Sequence, residues 1–436
     1  MSNQKKQWGA IIVMIALFAM IAFVTNLCNP MANIIKEQGT ISNVLAQIGN
    51  YGNFGAYLLM GLPAGMLISK FGYKKTALIG ICVGIVGVLI QWASGFFDPK
   101  TSGVGTIFSI YLTGAFISGC CMAILNCVVN PMLNILGGGG NGGNKFIQIG
   151  GVFNSGAAVA CYILMGALIG DIAKRKMEGN PVTMADATPA LMIALAVFVI
   201  AFIVICFTKI KEPEQAPVDL SLVPKALSHR HFALGALAIF LYMGVEVGVP
   251  NFVDKYLVNE FVYNGKHLSS EISGLLVAVY WASMLIGRFV GASIGDKVSA
   301  RAMVTTVSIA TLVLVGFGMF APTDILVDFP GVKWETMELI MQPVPIGIFA
   351  MLLVGLCTSV MWGAIFNMAV EGLGNLTSIA SGIFMAMVCG GAVLQFTQAL
   401  VADSFGYLAS FGVVIFCAAY ILFYAQIGSR VSKRAE

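Results

Sequence analysis

Runs of about twenty apolar residues recur along the whole chain, broken by short polar connections. They fall near 8–36, 43–70, 75–97, 103–136, 146–171, 189–208, 231–258, 271–295, 302–322, 343–372, 376–402 and 405–427. A helix of about 20 residues crosses roughly 30 Å of hydrocarbon, so each run predicts one membrane span. The pattern predicts an all-α membrane protein with twelve transmembrane helices.

Polar positions inside these runs are ordered. Asn26, Asn29 and Asn33 stand three and four apart in the first run, on one helical face. The second run carries Asn50, Asn53 and Tyr57, and the fourth carries Asn126, Asn130 and Asn134. Asn154, Asn367, Gln395 and Gln398 add single amides to later runs. Lipid offers no hydrogen bonds, so such groups face a neighbouring helix or a wet cavity. One amide is ordinary interhelical glue. Stripes on several helices instead line a path. Pro131 is expected to bend the fourth span beside that path, and "GGGGNGG" reads as a flexible hairpin. No Gly-Lys-Ser/Thr follows it, so it is not a phosphate loop.

Composition agrees. Apolar residues make up 58% and charged residues 10% of the 436, too few charges for a water-soluble domain. The first run follows Lys5 and Lys6 like a secretory leader, but it lacks a small-x-small cleavage site and is expected to stay as a span. Lysines and arginines concentrate on the side of the termini, including Lys70, Lys74, Lys75, Lys225, Arg230, Arg301 and Arg430. This bias predicts both termini in the cytoplasm, with Lys174–Arg175–Lys176 the one discordant loop. The formal charge of +4 thus reflects orientation, not nucleic-acid binding. All ten cysteines fall in apolar runs without CxxC spacing, so neither a disulfide framework nor a zinc site is indicated. No metal or cofactor is expected.

The stretch "KIKEPEQAPVDLSLVPKALSHR" (209–230) reads as a cytoplasmic linker between six-helix bundles at 1–208 and 231–436. The halves echo each other. "NPMLNILG" (130–137) matches "NMAVEGLG" (367–374), "GMLISKFGYKK" (65–75) matches "GASIGDKVSAR" (291–301), residues 144–171 parallel 375–403, and Pro30 pairs with Pro250. Matches in one order mark a duplication. Parallel six-span repeats with a site between them near the midplane are the architecture of major facilitator transporters.

Candidate chemistry is sparse. Tyr280, Trp281 and Trp362 offer faces suited to the CH-rich side of a pyranose, or to packing, while Trp8 and Trp92 sit near span ends as interface anchors. Glu246, four residues before Pro250, lies deep in the seventh span, where a charge is costly and commonly functional. It is the candidate proton carrier. Arg288, Asp296 and Glu371 lie toward span ends and read as gate groups. "GASIG" (291–295) fits the G-x-S-x-G pattern of a serine nucleophile but lacks a strand–turn–helix setting, and His229, His231 and His267 are read as loop residues. An enzyme is not expected. A membrane sugar sensor is the rival outside transport, though the short tail carries no signalling extension.

"NPMLNILG…FNSG", "LPAGMLISKFGYKK", "YMGVEVG", "YWASMLIGRF" and "GLGNLTSIASGIFMAMVCGGAV…QALVADSFG" together resemble the fucose:proton symporter family of the major facilitator superfamily, nearest its glucose/galactose branch. The resemblance runs nearly the length of the chain. It implies an inner-membrane transporter, a monomer in the lipid bilayer, importing a hexose or deoxyhexose with a proton. A sodium-coupled symporter and a uniporter are the alternatives. Asn50, Asn130, Asn154 and Trp281 fit the family's cavity positions. The chain departs where the pattern has acids in spans 1 and 4, which here are Asn29 and Asn126, and where a span 5 glutamine becomes Gly151. Coupling then falls to Glu246. With these, Asn26, Asn53, Trp362, Asn367 and Gln395 complete the expected substrate-binding set.

Overall fold

The computed structural model describes residues 7–36, 42–97, 103–136, 140–169, 175, 178–179, 182–210, 220–294, 298–333, 337–373 and 376–431. Eleven of its helices are long and apolar enough to cross a membrane. One of them does so twice. Ile48–Ala93 has 46 residues, about 69 Å at the α-helical rise, and is interrupted at Gly72 (φ 79°, ψ 174°). That conformation is open essentially to glycine alone. The arms on either side both pack on Val104–Leu136 but run in opposite directions. Gly52 and Gly61 lie beside Leu112 and Cys127, while Gly80, Gly84 and Gly87 lie beside Ile124, Cys121 and Ser118. The chain therefore reverses at Gly72, and the arms are spans 2 and 3.

Span 1 is Trp8–Lys36, span 4 Val104–Leu136, span 5 Gly140–Ile169 and span 6 Thr188–Phe207. Spans 7 to 10 are Arg230–Asn259, Ser270–Ile294, Ala300–Phe320 and Ile346–Val370. Span 11 joins Thr377–Met387 to Gly390–Phe405, and span 12 runs from Tyr407 to the π-turn Tyr424–Gly428. Span 11 tightens at its middle, where Val388 and Cys389 donate backbone bonds three residues back. Beyond the pinch, Gly390 and Gly391 let the Phe240 carbonyl of span 7 and the Phe54 ring of span 2 come close. Spans 5 and 8, and spans 2 and 11, join the first six helices to the last six.

Several expectations need adjustment. Span 5 begins at Gly140, so part of the glycine run is helical; residues 137–139 lie outside the described set. The 209–230 stretch contains a short helix, Val223–Leu227, that packs on span 11. His231 sits in the first turn of span 7 and is buried, not in a loop. The connection before span 10 is a β-hairpin, Leu326–Lys333 paired antiparallel with Glu338–Pro345. Gly331 in that hairpin rests on Ile272 of span 8. The ten cysteines are free thiols, but Cys82 and Cys206 are exposed rather than buried.

Candidate functional site

Span 1 lays its asparagines along the seam between the first six and last six helices. Asn29 donates to the Tyr162 hydroxyl of span 5 at 2.8 Å and accepts from Asn50 of span 2 at 2.8 Å. Asn50 also donates to Gln47, just before span 2. Gln47 and Asn251 of span 7 exchange two bonds, at 3.3 and 2.9 Å, and Asn251 donates to Gln395 of span 11 at 2.6 Å. The result is a continuous buried chain, Tyr162–Asn29–Asn50–Gln47–Asn251–Gln395, through five spans. Two of its atoms, Asn50 Oδ1 and Gln395 Nε2, are buried without a hydrogen-bond partner among the described residues. A buried polar atom left unpaired costs about 1–3 kcal/mol, so this acceptor and this donor each call for a partner at the seam.

Below this chain, toward the end that carries the termini, Glu246 is half-buried in span 7. Its carboxylate lies within the field of Arg288 and beside the Tyr242 hydroxyl. Tyr280 is fully buried and donates to the Glu246 carbonyl at 2.9 Å. Its hydroxyl also lies 3.2 Å from Thr358 Oγ1. Its ring and hydroxyl are thus enclosed by packed helices. Arg288 donates across the seam to the Gly151 carbonyl and reaches Asn154 Oδ1 at 3.5 Å. Gly151 has no side chain to keep that guanidinium away, since a Cβ there would meet it at about 3.2 Å. Asn154 donates in turn to the Phe18 carbonyl at 2.9 Å.

Asn126 donates to the Tyr57 hydroxyl at 2.9 Å and Asn130 to the Asn126 carbonyl at 3.1 Å, both half-buried on span 4. Trp281 is buried beside Tyr162. Trp362 is half-buried between Tyr242 and Phe384, and Asn367 is exposed one helical turn or so further on. Two more of the expected amides are spent within the first half. Asn26 donates to the Ala22 carbonyl of its own span at 2.8 Å, and Asn53 is wedged against Cys28 at 3.5 Å. Glu371 is exposed, and its carbonyl accepts from His231 at 2.8 Å. Arg288 is therefore engaged with span 5 here rather than with Glu371. Asp296 and the side chains of Asn134 and Gln148 lie outside the described set. Ser293 of the "GASIG" stretch spends its hydroxyl on the Phe289 carbonyl of its own helix at 2.9 Å.

At the opposite end, beside Lys36, a second polar cluster ties the halves together. Asn33 donates to Asp254 at 2.6 Å and accepts from Lys255 at 3.1 Å, both on span 7. Ser273 of span 8 donates to the other Asp254 oxygen at 2.6 Å. Lys36 donates to the Tyr407 hydroxyl at 2.6 Å, and the Val44 amide to Asp403 at 3.3 Å. Gln47, Asn251, Asp254 and Lys255 escaped the sequence reading. The usable signal was Asn251, Asp254 and Lys255 at helical spacing just after Pro250.

A twelve-span bundle with a polar path down its seam has the form of a membrane transporter, and the comparisons agree. Residues 11–396 match the Major Facilitator Superfamily, and the chain belongs to it. It is a multi-pass membrane protein of a transporter family, not an enzyme. It is 29% identical to the glucose/galactose transporter of Brucella abortus over 98% of this chain and 96% of that one. It is 19% identical to the L-fucose-proton symporter of Escherichia coli, over 96% and 92% respectively. Among solved structures, the major facilitator transporter FucP in its outward conformation superposes with a TM-score of 0.68 at 19% identity, covering 97% of this chain and 99% of that one. These relatives fall in the group that the motifs resemble.

Proposed function

We propose that this protein imports a neutral hexose or deoxyhexose across the inner membrane by alternating access, driven by proton symport. The observation that carries the reading is the amide chain from Tyr162 to Gln395, with Asn50 Oδ1 and Gln395 Nε2 left open at the seam. Sugar hydroxyls both donate and accept, which is what an unpaired acceptor and donor require. Neutral amides suit a neutral polyol, and the Trp281 and Trp362 rings supply apolar faces beside them. The names of the relatives, glucose/galactose transporter and L-fucose-proton symporter, point the same way.

In this reading the bundles 1–208 and 231–436 rock about the 209–230 linker, with both termini cytoplasmic. The Lys36 end is then the outer gate, held shut by Asn33, Lys36 and their partners. The half-buried Asn126, Asn130, Asn154 and Trp362 and the exposed Asn367 face the cytoplasmic side, so the conformation is inward-facing. Glu246 is the proton carrier, with Arg288 as the cation that responds to its charge. The protein works as a monomer.

Tryptophan-quenching titration of the purified protein with a panel of hexoses tests the binding half of this proposal. Asn50→Ala and Gln395→Ala should each weaken binding of the preferred hexose about tenfold, one lost hydrogen bond of roughly 1.4 kcal/mol. A protein that quenches only with peptides, organic anions or lipophilic cations does not have this function.

A further inference from the structure

Span 7 carries Glu246 on a stretch that is poorly made to hold it. Gly244 and Gly248 flank it with low helix propensity, and Pro250 breaks the hydrogen-bond ladder. Both glycines give way to span 11: a Cβ on Gly244 would meet Leu394, and one on Gly248 the Gln398 amide oxygen. Pro250 has no N–H, so the carbonyl four residues before it loses its intrahelical partner. That carbonyl belongs to Glu246 itself.

The replacement partner comes from span 8. Tyr280 donates its hydroxyl to the Glu246 carbonyl at 2.9 Å. Chemistry fixes the direction, since a carbonyl only accepts and a phenol has one proton to give. The donor is itself held firmly. Tyr280 is fully buried, its ring lies edge-on to Trp281, and its oxygen lies 3.2 Å from Thr358 Oγ1 of span 10. Tyr242, one turn before Glu246, donates to the Thr358 carbonyl at 3.3 Å. Span 1 supplies a comparison within the molecule. Pro30 pairs with Pro250 in the repeat and frees the Asn26 carbonyl, yet no side chain among the described residues donates to it. The tyrosine therefore goes with the carboxylate, not with helix prolines in general. We propose that Tyr280 is a positioning residue for the proton carrier: its hydroxyl stands in for the amide that Pro250 removes and fixes the backbone that presents the Glu246 carboxylate. The inference rests on the proton-coupled reading above and adds to it the residue that holds the carrier in place. Tyr280 neither carries the proton nor binds the sugar; it acts through Glu246.

The test is a double-variant cycle with the full-length protein in proteoliposomes. Tyr280→Phe keeps the ring and removes the donor. It should slow proton-driven hexose uptake about tenfold, the weight of one hydrogen bond, while counterflow stays within about twofold. Pro250→Ala returns an N–H to the helix, so with Tyr280 intact it should leave both rates within about twofold. Tyr280→Phe added to Pro250→Ala should then cost less than about twofold, because the carbonyl is already paired. Should Tyr280→Phe alone fold poorly, the double variant must recover both the folded yield and the driven uptake. Equal losses from Tyr280→Phe in the two backgrounds overturn the proposal, and so does a loss of uptake and counterflow in proportion, which marks a purely structural residue. A Pro250→Ala protein without driven uptake also overturns it, since the bend rather than the bond would then place the carboxylate. Uptake by the unsubstituted protein that ignores the proton gradient overturns the coupling reading, and this inference with it.

Discussion

At the scale of single residues, Glu246 carries the heaviest assignment. Symport requires a group that changes charge inside the membrane, and the amides Asn29 and Asn126 cannot do so at physiological pH. Glu246→Gln keeps size and hydrogen bonding but removes the titration. It should abolish sugar accumulation driven by a proton gradient while sparing counterflow, which needs only binding and rocking; accumulation that survives places coupling elsewhere. Arg288→Glu should slow counterflow more than it weakens hexose binding, because Arg288 spans the seam from span 8 to the Gly151 carbonyl. Equal losses of exchange and binding would assign Arg288 to folding. The amides Asn29, Asn50 and Gln395 were legible in the sequence because a polar residue in an apolar run has few places to go. Gln47 was passed over although it stands three residues before Asn50 in the same apolar run, and only the fold shows that it reaches Asn251. Asn26 and Asn53 had the same signal as Asn29, but Asn26 turns to a carbonyl of its own helix and Asn53 to Cys28 of span 1.

At the scale of elements, glycines decide how closely spans approach and where they turn. Gly72 must adopt φ 79° for span 2 to turn into span 3. Gly72→Ala should cost about 1–3 kcal/mol, seen as a lower melting temperature of the detergent-solubilised protein, without weakening hexose binding in the folded fraction. Gly61 faces the backbone of Ala386, so a side chain there pushes spans 2 and 11 apart. Gly61→Val should destabilise by about 1–3 kcal/mol and alter the rate of counterflow as well, since those spans belong to opposite halves. Unchanged melting and counterflow would mean the contact is loose. Span number followed from the apolar runs alone. The hairpin at 326–345 did not, because its strands alternate too weakly to stand out beside two apolar spans.

At the scale of the whole molecule, the proposed function rests on the seam between the two halves. Repeated motifs at matching positions in the two halves pointed to it, but they gave no conformation, because the contacts that close one end come from residues far apart in sequence. Asn33 and Asp254, 221 residues apart, are such a pair. The central claim is that this seam passes a neutral hexose. Uptake of labelled hexoses into proteoliposomes, with and without an imposed inward proton gradient, tests it most directly. The account predicts saturable uptake of at least one hexose or deoxyhexose, competed by the unlabelled sugar and concentrated when the gradient is applied. Uptake without concentration would make the protein a uniporter and remove Glu246 from its role. No uptake of any hexose, from a preparation that moves another class of solute, would contradict the account.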